Sequence, residues 1–181
     1  LVSQFAKKLD IKVVISTSEE LLPDNYDLAL ASNVLNELEP EPDPRKKELL
    51  ISLWDATVGS MIILEPGHRV ASQRLIRFRK RLVKESSGKA QIVGPCHHIE
   101  ECPLYRTQHW CHFSWPLTEG RLIDLNLRIF KDKRKWLKLS YLAIKRTNKI
   151  MEKWNNKTYR IIGDLHQTGK SSFAVDLCRP N

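Results

Sequence analysis

The sequence predicts an α/β fold in which part of a mostly parallel sheet precedes a cysteine-rich insertion and a C-terminal antiparallel β extension. Three observations predict it. Through residue 94, near-continuous apolar runs alternate with amphipathic helical stretches, the pattern of a parallel sheet covered on both faces. At Pro95 that rhythm stops, and cysteines, histidines, prolines and aromatics crowd together. Beyond residue 121, apolar and polar residues alternate as they do in antiparallel strands. The chain thus divides into residues 1–94 and 95–181.

Taken in order, Lys12-Val13-Val14-Ile15-Ser16 reads as a short strand. Asp27 to Ser32 is a second apolar run, bounded by Pro23-Asp24-Asn25 and Asn33. After Pro40, Pro42 and Pro44, a helix fits Arg45 to Thr57, with Leu49, Leu50, Leu53 and Trp54 at helical spacing. Gly59 is expected to stop it before a buried strand from Ser60 to Glu65. The next helix, Val70 to Glu85, places Leu75, Phe78 and Leu82 on one stripe and Arg74, Arg77, Arg81 and Lys84 on another. Ala90 to Gly94 is a further strand. Leu122–Phe130 and Leu137–Ile144 read as a hairpin turning at Lys131-Asp132-Lys133-Arg134. Tyr159–Ile162 and Ser172–Leu177 form a final pair.

Composition narrows the function. The 181 residues carry 30 Lys+Arg against 21 Asp+Glu, a net charge of +9 that is unevenly spread. Residues 1–68 hold 6 basic and 12 acidic side chains, net −6, whereas residues 69–181 hold 24 and 9, net +15. Such a split favours a polyanionic partner, most commonly a phosphate backbone, over a merely solvated basic surface. No run of about 18 apolar residues exists, so no membrane helix is expected. The chain starts at Leu1 without an initiator Met or a signal pattern, and is expected to be a piece of something longer.

Four cysteines are too few for a disulfide framework. Cys96, Cys102 and Cys111 fall within sixteen residues of a loop-rich segment, and Cys178 follows in the last strand. Thiolates distributed in this way staple separate elements through a metal or cluster. Four unrelated buried cysteines are the plainer alternative. Zinc sites use a tighter Cys-x2-4-Cys knuckle, so the spacing leans toward iron–sulfur, with zinc and His97, His98, His109 or His112 as the other possibility. Gly163–Ser171 imitates a phosphate-binding loop but has one residue too many between its glycines and no helix to follow, so it reads as a hairpin turn with a basic tip. Asn156-Lys157-Thr158 is a glycosylation sequon by chance.

Several segments together resemble one family. Tyr26 to Leu38 is similar to the fourth-strand motif of class I S-adenosylmethionine-dependent methyltransferases, and Ile62-Ile63-Leu64-Glu65-Pro66-Gly67 to their fifth strand. More specific are Pro95-Cys96-His97-His98, Cys102-Pro103-Leu104, Trp110-Cys111-His112-Phe113-Ser114, Ser140-Tyr141-Leu142-Ala143-Ile144, Arg160-Ile161-Ile162 and Asp176-Leu177-Cys178. This combination resembles the mitochondrial small-ribosomal-subunit methyltransferase-like family, Rsm-twenty-two, with its bacterial relatives. Trp115-Pro116 departs from the usual Gln-Arg, and His68 stands where Thr is usual.

The resemblance implies a Rossmann-like methyltransferase sheet of which residues 1–94 hold the C-terminal part. It implies a four-iron, four-sulfur cluster on Cys96, Cys102, Cys111 and Cys178, and a ribosome assembly factor contacting small-subunit rRNA. Arg74, Arg77, Arg81, Lys84, Lys133, Arg134 and Lys135 are the expected RNA contacts. Ser32, Asn33 and Asn36 would lie beside the reactive end of S-adenosylmethionine, although the glycine loop that cradles this cofactor does not precede Lys12. Catalysis is therefore expected only of a longer chain. A zinc-stabilised RNA-binding module without methyl transfer is the alternative. The compartment would be the cytoplasm in a bacterium and the mitochondrial matrix in a eukaryote.

Overall fold

A computed structural model describes residues 25–37, 44–96, 98–116, 136–148 and 159–178. Strand β1 (Tyr26–Ser32) leads through a short helix α1 (Val34–Glu37) and helix α2 (Pro44–Asp55) to β2 (Thr57–Pro66), which runs parallel to it. Helix α3 (Arg69–Glu85) then leads to β3 (Ala90–Gly94). Strand β4 (Phe113–Pro116) and the long β5 (Trp136–Arg146) complete this sheet, and β6 (Arg160–Gln167) pairs with β7 (Phe173–Cys178) as a separate antiparallel hairpin.

The main sheet runs β1-β2-β5-β3. Because β5 is antiparallel to both of its neighbours, β1, β2 and β3 all point one way. Leu137–Ile144 was expected in a peripheral hairpin with Leu122–Phe130. It lies instead at the centre of the sheet, where its alternation matches burial on one face: Leu142 and Ile144 are fully buried beside Ile63 and Met61. Leu122–Phe130, the turn after it and Lys12–Ser16 lie outside the described residues.

The two long helices among the described residues share one face of the sheet. Leu50 and Trp54 of α2, with Leu75, Phe78 and Leu82 of α3, pack on one face, over Ala29, Ala31, Met61, Ile63, Ile92, Leu142 and Ile144. The reason is topological. The crossovers from β1 to β2 and from β2 to β3 advance in the same direction, and right-handed crossovers that do so lay both helices on one side. The opposite face leaves Leu28 at 58% and Leu30 at 63% exposure.

Gly59 does not stop a helix. The helix ends at Asp55, and Gly59 sits inside β2, where a Cβ would lie 2.0 Å from the Asp27 carbonyl oxygen of the neighbouring strand. Gly67 is equally constrained. Its N–H donates to the Lys138 carbonyl at 2.9 Å, and a Cβ there would meet the β5 backbone at 2.5 Å. Immediately after it, His68 caps α3, its Nδ1 accepting from the Ala71 N–H at 3.3 Å. An imidazole here fills the role usually given to a hydroxyl or carboxylate cap.

Candidate metal centre

The pairing of β5 positions the cysteines. Leu139 faces Pro66 on one side and Phe113 on the other, so β4 lies along the same edge of β5 as β3. Gly94 pairs with Ala143 and Phe113 with Leu139. The segment between β3 and β4 therefore leaves the sheet and rejoins it a few residues apart, forming a loop held along α3 from Ser72 to Lys80.

That helix, with Ser140 of β5 and Gly67, holds the loop by polar contacts. Ser72 and Ser140, both buried, donate to the Cys111 carbonyl at 2.9 and 2.7 Å. Gln73 donates to the Leu104 carbonyl at 2.8 Å and accepts from the Arg106 N–H at 3.1 Å. Arg79 donates to the carbonyls of His98 at 2.6 Å and Glu100 at 2.9 Å. Trp110 reaches back to the Gly67 carbonyl at 3.1 Å.

The β6–β7 hairpin completes the site. Arg160 donates to the Pro95 carbonyl at 2.8 Å, and its register partner in β7 is Cys178. The Gly163 N–H donates to the His112 carbonyl at 3.0 Å. The Asp164 carboxylate accepts from Lys138 and Ser114 and lies 3.5 Å from His112 Nε2. The Lys138 hydrogen bond, then that of Ser114, pulls the Asp164 carboxyl down to about 2. The false phosphate loop is a hairpin, but its turn is shorter than expected: Gly163 to Gln167 continue β6, and Lys170 lies exposed in the turn that follows.

Cys96, Cys102, Cys111 and Cys178 line one cavity, together with Leu75, Arg79 and Leu142 among others. All four are free thiols. Each pair among them would repel as thiolates. Burial is the largest cause raising every one of the four, and it pushes Cys178 up to about 11. Burial thus favours the protonated thiols over the thiolates, and a metal binding such a set would release protons.

Among the described residues, no three His, Cys, Asp or Glu side chains converge closely enough to hold a single ion. No histidine among the described residues lines the cavity. His98 is buried with its Nδ1 3.2 Å from a Glu100 carboxylate oxygen, His109 is exposed, and His112 stacks on Trp110. His97 lies outside the described residues.

The other expected sites separate. Ser32 and Asn33 lie exposed at the carboxyl end of β1. Asn33 adopts a left-handed φ of 59° and donates its N–H to the Leu64 carbonyl. The cap of α1 is supplied by neither: the buried Glu65 carboxylate accepts from the N–H groups of Leu35 and Asn36. Asn36 is occupied, its carbonyl and Oδ1 both accepting from Arg74. Of the basic stripe, Arg81 is held by Glu48 and Glu85, whereas Arg77 and Lys84 are exposed. Lys133, Arg134 and Lys135 lie outside the described residues.

Sequence reasoning gave no role to Arg79, Arg160, Asp164 or Glu65, although Arg160 and Glu65 stand in the segments that carry the family resemblance. Arg79 carried a legible signal: it stands four residues after Leu75 and three before Leu82, on the apolar stripe of its helix. The contacts of Asp164 and Glu65 carried none, because their partners are 26 to 50 residues away in sequence.

No curated protein matches the chain. Residues 3–181 match the family described as mitochondrial small ribosomal subunit Rsm22. That match covers nearly the whole sequence, and the chain belongs to the Rsm22 family.

Proposed function

We propose that this protein acts with the small ribosomal subunit, contacting its rRNA during assembly, and that an iron–sulfur cluster on Cys96, Cys102, Cys111 and Cys178 clamps its basic surface. The single observation that carries this reading is the convergence on one cavity of three loop cysteines and a fourth from β7. The family description supports the ribosomal partner, and the net charge of +15 after residue 68 supports contact with a phosphate backbone.

The donor set favours a cluster over zinc. Structural zinc sites use a tight Cys-x2-4-Cys knuckle, and the gaps Cys96–Cys102 and Cys102–Cys111 are wider than that. A four-iron cube gives each thiolate its own iron and holds the sulfurs farther apart. When bound, the cluster would cross-link the loop of residues 95–112 to the β6–β7 hairpin. The chain's own residues orient the site: Ser72 and Ser140 fix Cys111, Arg79 shapes the segment between Cys96 and Cys102, and Arg160 ties the hairpin to Pro95.

Methyl transfer from S-adenosylmethionine by a longer chain is a second reading. Its support is the adjacent, parallel pairing of the two strands compared with a methyltransferase's fourth and fifth, and the continuation to β3 in the same direction. Ser32 and Asn33 then stand where such sheets bind ligands, beyond the carboxyl ends of the strands. No helix among the described residues is long and apolar enough to cross a membrane. The family name points to the mitochondrial matrix in a eukaryote, and the corresponding bacterial compartment is the cytoplasm.

Anaerobic purification tests the first reading. Iron and sulfide in equal amounts, with broad visible absorption, are the expected result; zinc alone would replace the cluster by the zinc module. The same preparation should co-sediment with small subunits in a salt-dependent way, and replacing Arg77 and Lys84 by Glu should weaken that binding.

A further inference from the structure

We propose that Arg79 and Arg160 are the built-in counter-cations of the cysteine centre, two fixed positive charges that balance the dianion formed by four thiolates around an iron–sulfur cube. This rests on the cluster reading above. It goes beyond it by assigning to two residues outside the ligand set the control of how readily the centre is loaded and reduced.

Arg79 is an unusual residue to bury. It is 4% exposed, on the face of α3 that otherwise carries Leu75, Ile76, Phe78 and Leu82. Charged side chains are almost never so buried without an opposite charge. Among the described residues no acidic side chain pairs with it: its two terminal nitrogens donate to the carbonyls of His98 and Glu100. Its Nε has no hydrogen-bond partner among the described residues. The guanidinium lines the cysteine cavity and lies within hydrogen-bonding reach of the Cys96 thiol. A full positive charge and an unclaimed donor at the wall of a cavity of neutral thiols make an incomplete arrangement. An anionic centre in that cavity completes it, supplying the opposite charge and an acceptor together.

Arg160 approaches from the opposite element. It anchors Pro95, next to Cys96, and stands across the β6–β7 ladder from Cys178. Its charge favours the thiolates of Cys96, Cys111 and Cys178, while that of Arg79 favours those of Cys96, Cys102 and Cys178. Between them, all four sulfurs feel a fixed cation. Reduction adds one more negative charge to the centre, so both arginines stabilise the reduced form more than the oxidised one. Removing either should make the centre harder to reduce.

The test uses the full chain, purified anaerobically, with iron and sulfide content and a dye-mediated redox titration as readouts. Wild type lacking iron and sulfide would overturn the cluster reading itself. Given a loaded wild type, Arg79→Gln should shift the ratio of reduced to oxidised centre at least tenfold toward oxidised at a fixed potential, about 59 mV for one electron. Arg79→Lys, which keeps the charge but loses the planar fork, should stay within threefold of wild type. Arg160→Gln should shift in the same direction as Arg79→Gln. An unchanged midpoint in both Gln variants would overturn the proposal, as would equal shifts in Arg79→Lys and Arg79→Gln. Should Arg79→Gln fail to load, normal loading of Arg79→Lys supports the charge role, and failure of both assigns Arg79 to shape alone.

Discussion

The helix-backed sheet and the cysteine-bearing region are held together by different forces. In the sheet, Met61, Ile63, Leu82, Leu142 and Ile144 are at most 1% exposed and pack in one continuous cluster with α2 and α3. In the other region, the loop of residues 95–112 contributes no aliphatic side chain to that cluster, and Ile161, Leu165, Phe173, Val175 and Leu177 of the hairpin are exposed. Its ordering comes from hydrogen bonds to carbonyls and from thiols gathered around a cavity. Apolar packing needs no cofactor, whereas a loop organised around inward-facing sulfurs gains its cohesion when something binds them.

The sharpest way to break the first region is to remove a side chain from its centre. Leu142 is 1% exposed between β2 and the helices, and Leu142→Ala should cost about 2–5 kcal/mol. Thermal unfolding followed by far-ultraviolet circular dichroism should show the whole transition moving down. A change below about 1 kcal/mol would mean that β5 does not organise this core.

Cys178→Ser should strike the second region alone. On the proposed cluster reading, loss of the fourth thiol detaches β7 from the loop. The amides of β6 and β7 should then exchange with solvent about tenfold faster, while those of β2 and β5 keep their protection. Equal acceleration in both regions would show that the two are one cooperative unit.

This division also explains what could be read from the sequence. Helix α3 and strands β2 and β3 were legible because burial imposes a period on their own residues, as with Leu75, Phe78 and Leu82. The place of β5 was not legible. Its alternation announces a strand but cannot tell a central strand from a hairpin arm, since that depends on partners about 80 residues away. That α2 and α3 share one face of the sheet followed from crossover direction, which no local pattern encodes. The four cysteines were legible as a set because their chemistry is rare, and the fold brings them to the wall of one cavity. The arginines that face them were hidden in plain charge: Arg79 differs from Arg77 and Arg81 only by its angle around the helix. Arg77 and Lys84 are exposed as the basic stripe requires, while Arg81 is already claimed by Glu48 and Glu85.

The smallest expected effect lies at the seam between the regions. Asp164 of β6 accepts from Lys138 of β5 and Ser114 of β4, so one carboxylate ties the hairpin to the sheet. Its pKa of about 2 lies below the ordinary aspartate value near 3.9, chiefly because of Lys138. A depressed carboxyl stabilises the folded form fully above its unfolded pKa, and that contribution fades as pH falls from about 4 to about 2. The pair is 45% and 39% exposed, so solvent screening limits it to about 1 kcal/mol or less. In an acid titration of the metal-free chain, followed by hydrogen exchange in β6, Asp164→Asn should start slightly less protected than wild type. The two curves should converge by about pH 2. Parallel curves through that window would remove the Asp164 carboxylate from the seam and leave hairpin docking to the backbone bond at Gly163 and to Arg160.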